Sequence, residues 1–214
     1  GSWKFTTNDR GLRGDKDLDY AKRPGTLRVL VLGDSQAQGY ESHQQDTFPA
    51  VIERQLSEKG YTVEVINAGI SGFGTAEELI YLENEGIRYD PDFVVLAYTD
   101  NDIRDNVKSD IYRLSDDGEL FVHSYTHIPG VAVQNLIYSF PFTQWLSEHS
   151  YFYSMMFNEV WDYFKARLGR QAGERVTTHE ESTPVDESES VDYGTLLTSA
   201  LIKRMYAFCK AHDV

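Results

Sequence analysis

The stretch that decides the fold is residues 27–35, which read LRVLVLGDS. Its first six residues form a nearly continuous apolar run, which indicates a strand covered on both faces, as in a parallel sheet. Two more short runs rich in β-branched side chains follow, at residues 62–66 (TVEVI) and 93–97 (FVVLA). The run at 93–97 is again nearly all apolar, so we expect it to be covered on both faces too.

Helical patterns separate these three strands. Pro49 suits the first turn of a helix that continues through Leu56 and stops at Gly60. A second pattern opens with residues 75–78 (TAEE), the spacing of a capping box, and closes at Gly86. The order β-α-β-α-β predicts right-handed crossovers and a parallel α/β sheet.

Composition restricts the function. The 214 residues suit a single domain. Lys and Arg number 20 against 34 Asp and Glu, a net charge of −14. This balance disfavours a nucleic-acid partner or an anionic membrane surface, because both need a basic footprint. Cys209 is the single cysteine, which excludes an internal disulfide framework and a cysteine-cluster metal site.

The second half of the chain has a different pattern. Residues 131–168 carry apolar side chains at i, i+4 spacing and predict two helices, which form either a core-packing insertion or an aromatic wall of a pocket. Residues 169–192 are acidic and poor in apolar side chains, so we expect a mobile surface loop. A last helix at about 193–211 presents one apolar face, formed by Leu197, Leu201, Met205 and Phe208.

The three strand ends carry the polar groups that chemistry needs. Ligands of open α/β sheets bind at the carboxyl ends of the strands. After the strands come residues 33–39 (GDSQAQG), 67–74 (NAGISGFG) and 98–102 (YTDND). A serine, a glycine turn and an asparagine therefore meet at one edge. They are the minimum set for acyl transfer, a hydroxyl nucleophile with N–H donors for an oxyanion.

These three segments resemble the blocks of the GDSL/SGNH hydrolases. Gly33-Asp34-Ser35 resembles the first block, whose serine is the nucleophile. Residues 67–72 resemble the second block, which places an oxyanion-hole N–H at Gly72. Residues 100–102 resemble the third block and place the oxyanion-hole side chain at Asn101, although Asp100 stands where the family more often has glycine.

The resemblance implies a flavodoxin-like three-layer α/β/α sandwich with a parallel sheet, the SGNH hydrolase fold. One domain over residues 1–214 would comprise an extended lead-in (1–26), a catalytic core (27–110), a helical insertion (111–192) and a core helix (193–214). The implied activity is serine ester hydrolysis through an acyl-serine intermediate, on a small-molecule or carbohydrate ester, with no cofactor and no metal. Residues 6–14 resemble the lead-in of members outside the cytoplasm, so we expect an extracytoplasmic location.

The general base of the family is absent from the sequence. A serine hydroxyl needs a base within hydrogen-bond reach, and the family takes it from an Asp-x-x-His block. None of the six histidines, at positions 43, 123, 127, 149, 179 and 212, has an aspartate three residues before it. We therefore expect the chain to be incomplete at its C-terminus, the base to lie beyond Val214, and the 214 residues alone to be slow or inactive.

Other functions and roles fit the same residues. An O-acyltransferase would use the same groups to pass the acyl group to a sugar hydroxyl, and a non-catalytic binding module would use only the scaffold. Asp34 is suited to capping the helix after it, and Asn67 to holding its own loop. We expect Asp102 and Asp105 to cap or solvate their loop, because the spacing lacks the glycine and glutamate of a calcium loop.

Overall fold

The computed structural model describes residues 5–124, residue 150 and residues 187–214, with side chains from Tyr193 onward in the last segment. The chain divides into two compact units, Gly1–Ser124 with Ser188–Val214, and Tyr125–Glu187. Apart from Ser150 and Glu187, the described residues belong to the first unit. The helices expected within 131–168 and most of the acidic loop at 169–192 lie outside the described residues.

A parallel sheet forms the centre of the first unit, as the sequence predicts. In the described residues its strands are β1 (Leu27–Gly33), β2 (Val63–Gly69) and β3 (Phe93–Ala97), in the order β2-β1-β3. Gly33 pairs with Gly69 on one side and Ala97 on the other. The three strands therefore end level with one another, and their carboxyl ends share one edge.

Helices and one hairpin complete the described elements. The helices are α1 (Ser35–Gln38), α2 (Phe48–Glu58), α3 (Thr75–Asn84), α4 (Asp102–Ser109) and α5 (Glu187–Ala211), with 3₁₀ turns at Gln44–Asp46 and Gly86–Tyr89. An antiparallel hairpin, β4 (Tyr112–Leu114) and β5 (Leu120–Val122), follows α4. The segment expected to be a helical insertion thus begins as a hairpin.

The beginning of α3 differs by one residue from the expected capping box. Its N-cap is Gly74 rather than Thr75. The Glu77 carboxylate accepts a hydrogen bond from the Gly74 N–H at 3.1 Å. This is the bond that a capping box makes from its glutamate back to the N-cap, formed here by Glu77 and Gly74 instead of Glu78 and Thr75. This leaves Glu78 inside the helix, where its side chain is buried.

The core lies between the sheet, α3 and α5. Leu30 and Leu32 of β1 are fully buried, in one apolar cluster with Leu79 of α3 and Leu201 of α5. β1 is covered on both faces, as predicted. For β3 that prediction is wrong: the Phe93 side chain is 56% exposed. β3 is the edge strand of the sheet in the described residues, so one side of it has no neighbouring strand there.

The last helix and the lead-in both pack on this core. α5 begins at Glu187, so residues 187–192 are helical rather than part of the loop. Its predicted apolar face is confirmed, because Leu197, Leu201 and Met205 are buried. In the lead-in, Leu12 is 3% exposed and belongs to the core. No helix of the described residues is long and apolar enough to cross a membrane.

Candidate active site

Ser35 stands at the carboxyl end of the central strand. β1 ends at Gly33, Asp34 is the N-cap of α1, and Ser35 is the first residue of that helix. The Asp34 carboxylate accepts a hydrogen bond from the Gln36 N–H at 2.8 Å. The structure therefore shows the expected helix cap, and Ser35 is held, half-buried, at the shared edge of the sheet.

Close packing of α1 against the end of β2 fixes the position of Ser35. A Cβ added to Gly69 would lie 2.4 Å from the Gln38 backbone nitrogen. The Asn67 Nδ2 donates to the Ala37 carbonyl at 2.9 Å, and its Oδ1 accepts from the Gly69 N–H at 3.0 Å. Asn67 thus joins β2 to the helix that carries Ser35, a structural role beyond holding its own loop.

Gly72 lies in an open turn after β2. The Ile70 N–H donates to the Gly33 carbonyl at 2.9 Å, so this turn begins at the end of β1. Gly72 has φ +85°, a left-handed conformation that favours glycine. Among the described residues, none accepts a hydrogen bond from its N–H, and no atom lies within 4 Å of the place that a Cβ would take.

Asp34 joins the first block to the third. The Thr99 Oγ1 lies 3.1 Å from Asp34 Oδ2 and 2.7 Å from the Asn101 Oδ1, and its proton serves one of these two acceptors. The Asn101 Nδ2 lies 3.4 Å from the same Asp34 oxygen. The buried Asp34 carboxylate, 4% exposed, therefore contacts Asn101 directly and through Thr99.

A second carboxylate holds the Asn101 amide. Asp105 lies one helical turn further along, and its Oδ2 accepts from the Asn101 Nδ2 at 3.0 Å. Lys108 lies 3.4 Å from the other Asp105 oxygen, and this side of the pair is exposed. The shorter contact to Asp105 is the stronger of the two that the amide makes, because hydrogen bonds weaken with length.

Two buried acids lie beneath these groups. Asp102 is fully buried, and its Oδ2 accepts from the Thr99 N–H at 2.8 Å. Burial raises the pKa of Asp102 to about 6, with the charges of Asp34 and Asp105 adding to the effect and the Thr99 N–H opposing it. Of the two roles expected for Asp102, the structure shows the cap: its buried carboxylate accepts from the loop backbone and does not face solvent.

Glu78 is the second buried acid. Its side chain is 1% exposed, and neither carboxyl oxygen has a hydrogen-bond partner among the described residues. Burial raises the pKa of Glu78 to about 8, and the charges of Asp102 and Asp34 add to the shift. Glu78 is consequently protonated and neutral at pH 7.

Sequence reasoning did not identify every residue that shapes the site. Thr99 stands inside the third block, but its hydroxyl contacts to Asp34 and Asn101 follow from the fold alone. The contact of Asp105 with Asn101 could have been predicted from their spacing, since a residue four positions after Asn101 shares its helical face. The burial of Glu78 could not have been predicted, because nothing in the sequence distinguishes a buried glutamate from an exposed one.

Ser35 borders a shallow depression of about 310 Å³. The other residues along it come from α1 and the following loop: Gln36, Gly39, Tyr40, Glu41 and Ser42. A larger cavity of about 680 Å³ lies away from Ser35, between the lead-in, α2 and β2. Of the histidines that the structure describes, none forms a hydrogen bond with Ser35, so the position of the general base stays a prediction.

Comparison with known proteins supports the resemblance of the three blocks. The GDSL-like Lipase/Acylhydrolase family matches residues 31–179. An arylesterase of Vibrio mimicus is 31% identical over 111 residues, which are 48% of this chain and 56% of that protein. The chain thus spans little more than half the length of this relative.

Solved structures of one esterase are also similar. The crystal structure of AlinE4, an SGNH-hydrolase family esterase, is 28% identical with a TM-score of 0.33, over 39% of this chain and 45% of that one. A variant of the same esterase is 27% identical with a TM-score of 0.33, over 40% and 46% of the two chains. The match over residues 31–179, most of the chain, is the finding that decides the family. This chain belongs to the GDSL-like lipase/acylhydrolase family.

Proposed function

We propose that the protein is a serine ester hydrolase whose nucleophile is Ser35. One observation carries the proposal: the Asp34 carboxylate caps the helix that begins with Ser35 and also contacts Thr99 and Asn101. A single buried group therefore ties the nucleophile to the asparagine of the third block. Family membership and the arylesterase similarity support the same reaction class.

In the first half of the reaction the Ser35 Oγ attacks the ester carbonyl carbon. The serine proton passes to a histidine base, the tetrahedral intermediate collapses, and the alcohol leaves with that proton. Water then attacks the acyl-serine with the same base removing its proton, which releases the acid and restores Ser35. The base in this proposal is a histidine, and none of the histidines that the structure describes forms a hydrogen bond with Ser35.

The oxyanion is held by the N–H groups of Ser35 and Gly72 and by the Asn101 side-chain amide. Gly72 offers an N–H without an acceptor among the described residues. Thr99 contacts the Asn101 Oδ1, so the NH₂ end of that amide faces Asp34. The 3.4 Å contact to Asp34 is the one that a substrate oxygen replaces, while Asp105 keeps the amide in place.

The experiment uses the full-length protein with a small ester such as phenyl acetate. We expect Ser35→Ala to lower kcat by about 10³-fold or more, because the variant retains only binding and oxyanion stabilisation. Ser57→Ala, at an exposed position of α2, is the matched control and should keep the activity. Equal rates for the two variants would exclude Ser35 as the nucleophile.

Asn101→Ala tests the oxyanion hole separately. Loss of one such donor costs about 10²–10³-fold in kcat, and KM should change little because the donor acts on the developing charge. The variant also frees Asp105, so Asp105→Asn, which leaves the Asn101 amide in place, serves as the comparison. A kcat for Asn101→Ala within about twofold of the wild type would remove Asn101 from the mechanism.

A further inference from the structure

The lead-in reaches the loop that borders Ser35, through a buried arginine. Arg13 is 4% exposed. Its Nε donates to the Gln44 Oε1 at 2.7 Å, and its Nη2 donates to the Ser42 carbonyl at 2.8 Å. Ser42 lies on the depression beside Ser35. Arg13 therefore fixes the lead-in to one side of this depression, although 22 residues separate it from Ser35 in sequence.

Arg13 also positions an aromatic pair at that side. Its guanidinium carbon lies 4.1 Å from the centroid of the Phe5 ring, a cation–π contact. The Phe5 ring centroid lies 6.1 Å from that of Tyr40, with an angle of 51° between the planes. Tyr40 lines the same depression as Ser35. Tyr40 thus stands at the depression and Phe5 contacts Tyr40 from behind the lining residues; we call this pair the Phe5–Tyr40 wall.

The wall is held in place yet open to a ligand. Tyr40 is 57% exposed and Phe5 is 36% exposed, while the arginine behind them is buried. Rings kept in a fixed position lose little conformational freedom when a planar apolar group packs on them. The neighbouring Glu41 carboxylate and the net charge of −14 favour a neutral ligand over an anionic one.

We propose that the Phe5–Tyr40 wall receives an aromatic group of a neutral ester, with Arg13 as the positioning residue. This inference rests on the proposed function, since it assigns the substrate class of the Ser35 site. In this proposal the lead-in, which precedes the first strand, contributes residues to the substrate site.

The test measures binding, so that it needs no turnover. In the Ser35→Ala background, the dissociation constants of benzyl acetate and ethyl acetate are measured by NMR titration of the full-length protein. We expect benzyl acetate to bind about 5- to 10-fold more tightly, the range of an aromatic contact. Tyr40→Ala should remove this preference, Phe5→Ala should reduce it, and Tyr40→Phe should retain it.

The matched control is Tyr61→Ala. Tyr61 is as exposed as Tyr40, at 58%, but precedes β2 and so stands at the opposite end of the sheet from Ser35. It should keep the preference for benzyl acetate. Equal binding of the two esters by the parent protein, or the same loss in Tyr61→Ala as in Tyr40→Ala, overturns the inference. A failure of Ser35→Ala to reduce hydrolysis would instead count against the proposed function, so the two failures are distinguishable.

Discussion

The two carboxylate oxygens of Asp34 place different demands on a substitution. Its Oδ1 accepts from a backbone N–H, a contact that an asparagine oxygen also makes. Its Oδ2 faces the Asn101 Nδ2 and the Thr99 hydroxyl. An asparagine at this position would present an NH₂ group to the Asn101 NH₂ group, two donors without an acceptor between them.

Asp34→Asn should therefore lower activity more than stability. We expect kcat of the full-length protein to fall by about 10- to 100-fold, because the two facing NH₂ groups push the Asn101 amide out of the position from which it donates to the oxyanion. The midpoint of thermal unfolding should change by only a few degrees, because the cap remains. Asp46→Asn, at an exposed position, is the control. Unchanged kcat in Asp34→Asn would mean that Asp34 only caps its helix.

Glu78 makes stability depend on pH. Its pKa rises from 4.5 to about 8 on folding, so the folded state holds a proton that the unfolded state releases over this range. Stability is then highest at low pH with respect to this group, and it falls as the pH rises from about 4.5 to about 8. The raised pKa of Asp102, about 6, contributes in the same direction at the lower end.

Glu78→Gln removes this dependence. Urea unfolding at about pH 5 and about pH 8.5 should show the variant gaining stability relative to the wild type at the higher pH, by about 2–4 kcal/mol. The comparison between the two proteins cancels the titration of the groups that they share. A constant difference at both pH values would show that Glu78 is ionised in the folded protein.

At the scale of elements, the approach of α1 to β2 decides where Ser35 lies. The atoms nearest to an added Gly69 Cβ are backbone atoms of α1, at 2.4 Å and 2.7 Å, which cannot rotate away. α1 would have to move, and Ser35 with it. Gly69, in the second block, is therefore required for the packing of α1, the helix that carries Ser35 of the first block.

Gly69→Ala should destabilise the protein by about 3 kcal/mol, the upper end for an overpacked core position, and lower kcat through the displaced helix. Gly60→Ala is the control. Gly60 has φ +90° with open space around it. An alanine there would therefore meet no steric clash and add only the strain of a positive φ, on the order of 1 kcal/mol. Thermal unfolding and ester hydrolysis distinguish the two variants. Equal losses in both would mean that α1 tolerates the methyl group.

The sequence predicted the elements whose signals are local. The β1 apolar run, the Pro49 helix start and the apolar face of α5 are each read from a few neighbouring residues, and the structure confirms them. Three glycine-rich or polar segments at strand ends also indicated one shared edge. The exposure of β3 could not be predicted, because this edge strand is as apolar in sequence as a central strand.

Contacts between blocks were beyond sequence reasoning. The link from Asp34 to Thr99 and Asn101 joins positions 65 and 67 residues apart and depends on the register of β1 with β3. The burial of Glu78 depends on what packs against the start of α3, where residues 75–79 are all buried. The contact of Arg13 with Ser42 depends on how the lead-in lies along the core, for which no periodic pattern exists.

At the scale of the whole molecule, the general base is the part still to be located. We expect a protein of these 214 residues to hydrolyse phenyl acetate at least about 10³-fold more slowly than a serine esterase whose base is in place, because serine without a base is a weak nucleophile. It should still bind the ester, since Ser35, Gly72 and the Phe5–Tyr40 wall lie within these residues. Turnover at the rate of such an esterase would show that the base is present in them.

Covalent labelling of Ser35 tests most directly whether this serine is the nucleophile. The full-length protein is treated with a fluorophosphonate, which reacts with activated serines, and its peptides are mapped by mass spectrometry. We expect one adduct, on the peptide that contains Ser35, and none in Ser35→Ala. An adduct on another serine, or no adduct in a protein that hydrolyses esters, would contradict the assignment of Ser35.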